Sequence, residues 1–97
     1  MRVVWTDQAF ERLAEIQAYI ERDAPERAAA FIDKLISKGE RLNRHPYAGR
    51  KVPELDSEQH REVLEGNYRM VYRLHPRKIE ILTVFEGHRS LPLEDIH

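Results

Sequence analysis

The chain has no cysteine, so it forms no disulfide and has no thiolate to act as nucleophile or metal ligand. It has no apolar run near the ~20 residues needed to span a bilayer, and its N-terminus lacks the hydrophobic core of a signal peptide. A cytoplasmic protein with no membrane partner is the expectation. The net charge of −1 points to neither nucleic acid nor membrane. His45, His60, His75 and His97 stand at spacings that match no zinc motif, so no metal and no cofactor are expected. There is no internal repeat and no low-complexity segment.

What is present fits one domain, residues 1–97, with a single core; 41% of the residues are hydrophobic and 34% charged. The charge is unevenly spread. Residues 41–89 hold ten Lys and Arg against seven Asp and Glu, a net of +3, while residues 1–40 come to −2. Arginine makes up twelve of the sixteen basic residues, and its planar fork suits phosphate or carboxylate.

The run Tyr68-Arg69-Met70-Val71-Tyr72-Arg73-Leu74 alternates with period two and reads as a strand with one face on a core. Gly66-Asn67 before it is a two-residue hairpin turn in which Gly supplies the positive φ, and Arg61–Glu65 is the strand entering that turn. After His75-Pro76-Arg77-Lys78 comes a second alternating run, Ile79–Phe85. If Leu74 faces Ile79, then Tyr72 meets Ile81, Met70 meets Thr83 and Tyr68 meets Phe85 on one face. On the other face Arg73 meets Glu80, Val71 meets Leu82 and Arg69 meets Val84. That register gives Arg73 a carboxylate and leaves Arg69 without one, so Arg69→Ala is expected to leave folding nearly unchanged.

Upstream, Arg2-Val3-Val4-Trp5 reads as a short first strand and Thr6 as an N-cap, with Trp5 in the core. Ala9, Leu13, Ile16 and Ile20 recur at helical spacing, as do Ala28, Ile32, Leu35 and Leu42 after the Asp23-Ala24-Pro25 break. The short connection predicts an antiparallel helix hairpin. Residues 46–60 read as a loop, and Leu91 to His97 as a polar tail. The expected fold class is α+β: an N-terminal short strand and a helix hairpin packed on an antiparallel sheet with a C-terminal three-strand meander. The second sheet face, with Val71, Leu82 and Val84 among charges, is too apolar for free exposure, so a partner segment is expected over it.

In order along the chain, Gly49–Leu55, Arg61–Leu64, Gly66–Arg73 and Ile81–Arg89 resemble the RelE/ParE superfamily of bacterial toxins, as does the helix hairpin around Pro25. The loop and hairpin look closer to the ParE branch. The resemblance implies a RelE/ParE-like fold and a toxin of a type II toxin–antitoxin pair, a plasmid-stabilisation type of system, in a hetero-oligomer with a cognate antitoxin that neutralises it. The ParE branch is known for inhibiting DNA gyrase by protein–protein binding. The alternative, the RelE branch, is a ribosome-dependent mRNA endonuclease, with the ribosome and mRNA as partners. A shared fold does not decide between them.

For the nuclease alternative the candidate catalytic residues are Arg61, Arg69, His88 and Arg89. Arg69 matches the arginine that RelE-type nucleases use to hold the scissile phosphate; its structural alternative is an ion pair with Glu62. His88 is a candidate general acid or base by its imidazole, or an ordinary loop residue. Missing are the lysines that RelE-type cleavage takes from the strand before the central hairpin, and its C-terminal tyrosine, since no Tyr follows Tyr72. The partner-binding candidates are Arg69, Val71, Leu82, Val84 and Arg89. The expected reading is a ParE-like gyrase inhibitor without catalysis of its own.

Overall fold

The computed structural model describes residues 1–97. The chain forms β1 (Arg2–Trp5), α1 (Asp7–Glu21), α2 (Pro25–Glu40), β2 (Arg50–Lys51), β3 (His60–Glu65), β4 (Tyr68–Leu74) and β5 (Lys78–Glu86). Short 3-10 turns lie at Arg41–Asn43 and Leu93–Asp95. Thr6 caps α1 by accepting the Ala9 N–H at 3.1 Å, and Pro25 opens α2. Both are as the sequence predicts.

The sheet has five strands in the order β1-β5-β4-β3-β2. β3, β4 and β5 form the expected antiparallel meander, and Gly66 takes φ 56° in the β3–β4 turn. Two features differ from expectation. The sheet is mixed rather than wholly antiparallel, because β1 runs parallel to β5, with Val3 opposite Ile79. A two-residue strand, β2, also lies inside the segment read as a loop; it pairs Arg50 with Glu62 and is too short to show periodicity.

The helix hairpin covers one sheet face. Eleven buried residues form that core, among them Leu13, Ile16, Leu35, Met70, Tyr72, Ile81 and Val84. Each fully buried aliphatic side chain of this kind stabilises the fold by about 1.5–3 kcal/mol. Gly39 lets α2 come down onto Trp5: a Cβ there would stand 2.6 Å from the Trp5 ring and 2.7 Å from Ile81 Cδ1. Trp5 is half-buried against this core, and its indole N–H donates to Glu40 at 3.0 Å.

The β4–β5 register is as predicted from Leu74/Ile79 to Tyr72/Ile81, then slips. Val71 pairs with Thr83, so Leu82 is an extra residue, a β-bulge. Beyond it every side chain of β5 changes face. Val84 turns to the helix side and Phe85 to the other, opposite Arg69.

The second face is not left for a partner; the chain covers it. Val52, Val71, Leu82, Phe85 and Leu91 form a second buried cluster, with Leu55 and Ile96 against it. The segment expected to be a polar tail is therefore a strap. Asp95, 5% exposed, accepts from Arg12 Nε and from the Thr83 hydroxyl, each at 2.8 Å. The Asp95 hydrogen bond holds the Arg12 guanidinium's pKa above its ordinary value, against burial. At the open edge of β3, Lys38 on α2 donates to the Leu64 carbonyl at 2.7 Å.

Candidate functional site

The features singled out in the sequence meet at the β3–β4 turn and the end of β5. Arg69 projects from β4 onto the second face, where the bulge sets Phe85 beneath it, with the guanidinium carbon 4.8 Å from the ring centroid. Glu62 reaches the same point from β3, and Glu54 from the loop after β2. Arg69 Nε and Nη2 donate to Glu62 Oε1 at 2.8 and 2.6 Å, while Nη1 and Nη2 donate to the two Glu54 oxygens at 2.7 and 2.6 Å. Arg50 Nε and Nη2 close the other side of Glu62 at 2.8 and 2.7 Å.

The result is an alternating chain, Arg50–Glu62–Arg69–Glu54, with no net charge. Glu62 is 1% exposed and Arg69 8%, so each charge is balanced where water is excluded. The Glu54 hydrogen bonds hold the Arg69 guanidinium's pKa above its ordinary value, against burial. In turn the hydrogen bond from Arg69 holds the Glu54 carboxyl below its usual range, again against burial.

Arg69 is thus not the unpartnered arginine that the unbroken register implied. The bulge and the Glu54 loop are the reasons, and neither shows in an alternating pattern. The ion pair with Glu62, the structural alternative, is present. The expectation for Arg73 also changes: it does stand opposite Glu80, but that carboxylate is held by His75 Nε2 at 2.9 Å and His97 Nε2 at 3.1 Å. Burial pushes the Glu80 carboxyl up, but these two imidazole contacts outweigh it and leave its pKa below the usual range.

The four nuclease candidates do not all come together: Arg69 and His88 line one depression with Arg50, while Arg61 and Arg89 lie outside it. Arg61 pairs with Tyr72 and lies on the helix side of the sheet, its Nη1 donating to the Gly49 carbonyl at 3.0 Å and its guanidinium over Tyr47. Arg69 is on the opposite face with its donors engaged. His88 is exposed just past β5 and contacts the Glu86 carboxylate. Arg89 is exposed and lines a cavity of about 570 Å³ with Tyr19, Tyr68, Glu86 and Leu91.

Of the partner-binding candidates, only Arg89 is exposed. Arg69, Val71, Leu82 and Val84 are buried within the chain itself, so the surface they were expected to offer is closed by the strap, the 50s loop and, for Val84, the bulge. The Arg89 cavity was missed from sequence. Tyr19, off the apolar stripe of α1 and 64% exposed at the cavity wall, is one of two such aromatics on that helix, with Phe10, so the sequence did not single it out.

Residues 3–91 match the family model described as ParE toxin of type II toxin-antitoxin system, parDE. The chain belongs to the ParE toxin family. This ParE-family chain is 35% identical over 91 residues to a Sinorhizobium fredii protein named "Putative toxin Y4kP", covering 94% of the chain and 93% of that relative. Its fold is similar to a solved structure of a chromosomal ParDE system from P. aeruginosa, with a TM-score of 0.76 at 21% identity over 89% of this chain and 95% of the other. It is similar also to the toxin–antitoxin complex RelBE2 of Mycobacterium tuberculosis, with a TM-score of 0.60 at 22% identity and 88% coverage of both chains. The ParE branch and the RelE/ParE-like α+β fold expected from the sequence both hold.

Proposed function

We propose that this toxin inhibits DNA gyrase by binding it, without catalysis of its own, and that a cognate antitoxin neutralises it in a hetero-oligomer. The observation that carries the reading is the state of Arg69. Three of its nitrogens make four hydrogen bonds to Glu54 and Glu62, so the guanidinium is already matched to two carboxylates. Stabilising a pentavalent phosphate needs donors free to meet developing charge. With no lysine on β3 and no tyrosine after Tyr72, the chain also has few groups to move protons on RNA. The cavity beside Arg89, bounded by Tyr19 and Tyr68, is the place we assign to an amphipathic antitoxin segment.

The second reading, a ribosome-dependent mRNA endonuclease, draws on one observation: His88 and Arg89 stand exposed just past β5, with His88 against the half-buried Glu86 that ends the strand. Supercoiling by gyrase and mRNA integrity on translating ribosomes, assayed with the same preparation, separate the two. Loss of supercoiling with intact mRNA, and toxicity largely kept in His88→Ala, is the expected result. Codon-spaced mRNA cuts that vanish in His88→Ala, with supercoiling untouched, would replace gyrase inhibition by the nuclease.

A further inference from the structure

Five cationic side chains gather at one end of the molecule, and none of them is in an ion pair. Parallel pairing sets Arg2 beside Lys78. Val3, Trp5 and Ile79 face the helices, so by alternation Arg2 and Lys78 share the second face. Arg77 precedes Lys78 in the β4–β5 loop. The Met1 nitrogen donates to the Asn43 carbonyl at 3.2 Å, which brings the 3-10 turn with Arg41, and Arg44 at its end, to the start of β1. Arg2, Arg41, Arg44 and Arg77 are exposed and Lys78 half-buried.

The nearby carboxylates are otherwise engaged: Glu80 by His75 and His97, Glu40 by the Trp5 indole. The helix hairpin projects the other way, since Phe31 packs on Tyr68 beside the β3–β4 turn. In a molecule of 40 × 27 × 21 Å, these five cations against Glu40 and Glu80 leave a local surplus of +3 at one end, hidden in a net of −1.

We propose that this end binds the phosphate backbone of duplex DNA without regard to sequence. Four of the five cations are arginines, whose forks match phosphate oxygens. They stand on β1, the start of β5, the β4–β5 loop and the turn after α2, a backbone already in place before binding. An acidic peptide would want apolar pockets between the charges, and neither the cavity beside Arg89 nor the one beside Arg69 and His88 is lined by any of the five cations. A single strand would want an exposed aromatic platform for its bases. Tyr47, the exposed ring nearest in sequence to Arg44, already carries the Arg61 guanidinium over its face.

The test uses the toxin alone with a labelled 20-base-pair duplex of arbitrary sequence, read by fluorescence anisotropy across a salt series. With four to five phosphates neutralised, log affinity should fall against log salt with a slope of about −4. The Arg2→Ala/Arg77→Ala/Lys78→Ala variant should lower the slope by about three and weaken binding tenfold or more. Replacing the same three positions conservatively (Arg2→Lys, Arg77→Lys, Lys78→Arg) should restore the slope, which separates lost charge from lost folding. Arg22→Ala/Arg27→Ala, at the helix-hairpin end, should change nothing.

Salt-independent binding, an equal loss from Arg22→Ala/Arg27→Ala, or tighter binding of a single strand of the same length would overturn the proposal. Binding of a polyglutamate peptide in preference to the duplex would do so too, assigning the surface to an acidic protein. No gyrase is present, so failure here leaves the gyrase reading standing, and failure of the supercoiling assay leaves this one standing.

Discussion

Removing the Arg69 guanidinium would leave Glu62, almost wholly buried, with Arg50 as its only cation. Breaking a buried pair in this way costs about 3–5 kcal/mol, and the remaining Arg50 contact places Arg69→Ala at the low end. Arg73→Ala removes no ion pair and should shift stability by less than about 1 kcal/mol. Urea midpoints of the two variants side by side check the order; equal midpoints would mean that the Glu54–Arg69–Glu62 chain holds nothing together. Glu54 adds a pH signature. Its folded carboxyl is depressed by the Arg69 hydrogen bonds, so its contribution is complete above the ordinary value of 4.5 and is lost as pH falls through the lower folded value. Wild-type stability should therefore fall more steeply than that of Glu54→Gln as the solution is acidified below about pH 5. Parallel curves would show that Glu54 titrates normally.

The helices, the meander and its first three residue pairs were legible because each rests on a local period: 3.6 for the apolar stripes of α1 and α2, two for β4 and the start of β5. The bulge at Leu82 was not legible, since Leu82-Thr83-Val84-Phe85 is apolar or β-branched throughout and accepts either face. Missing that one residue misplaced Phe85 and Val84 and left Arg69 apparently unpartnered. The strap was hidden for a different reason. It shows no period, and its hold combines the scattered apolar contacts of Leu91 and Ile96 with one buried carboxylate, Asp95. Deleting Leu82 should restore regular pairing while keeping Val84 opposite Met70 on the helix side and Phe85 opposite Arg69, and should lose only the buried Leu82 side chain from the second cluster. We expect a folded chain that keeps its near-ultraviolet circular dichroism and loses about 2–5 kcal/mol of stability, the cost of a buried leucine; loss of that signal would mean that the bulge itself is needed to hold the two faces. Asp95→Ala should orphan the buried Thr83 hydroxyl and lower stability by about 1–3 kcal/mol. An unchanged thermal midpoint would show that the strap rests on Leu91 and Ile96 alone.

Taken whole, the molecule is charge-polarised along its length and closed on both sheet faces by its own chain. Besides the outer edge of β1, the β3 edge beyond Glu62 stays open, because β2 is only two residues long. There the Leu64 carbonyl meets no strand, and the Lys38 ammonium occupies it. Unpaired strand edges template the addition of further copies, and lysine is a common guard against that. The same contact that ties α2 to the sheet therefore bears on colloidal behaviour. Lys38→Met, which keeps much of the side-chain length but gives up the donor, should leave the monomer folded while promoting concentration-dependent edge-to-edge association in sedimentation velocity. On this view Lys38 helps keep the free toxin dispersed, as a single diffusible species, in the interval after its antitoxin is gone.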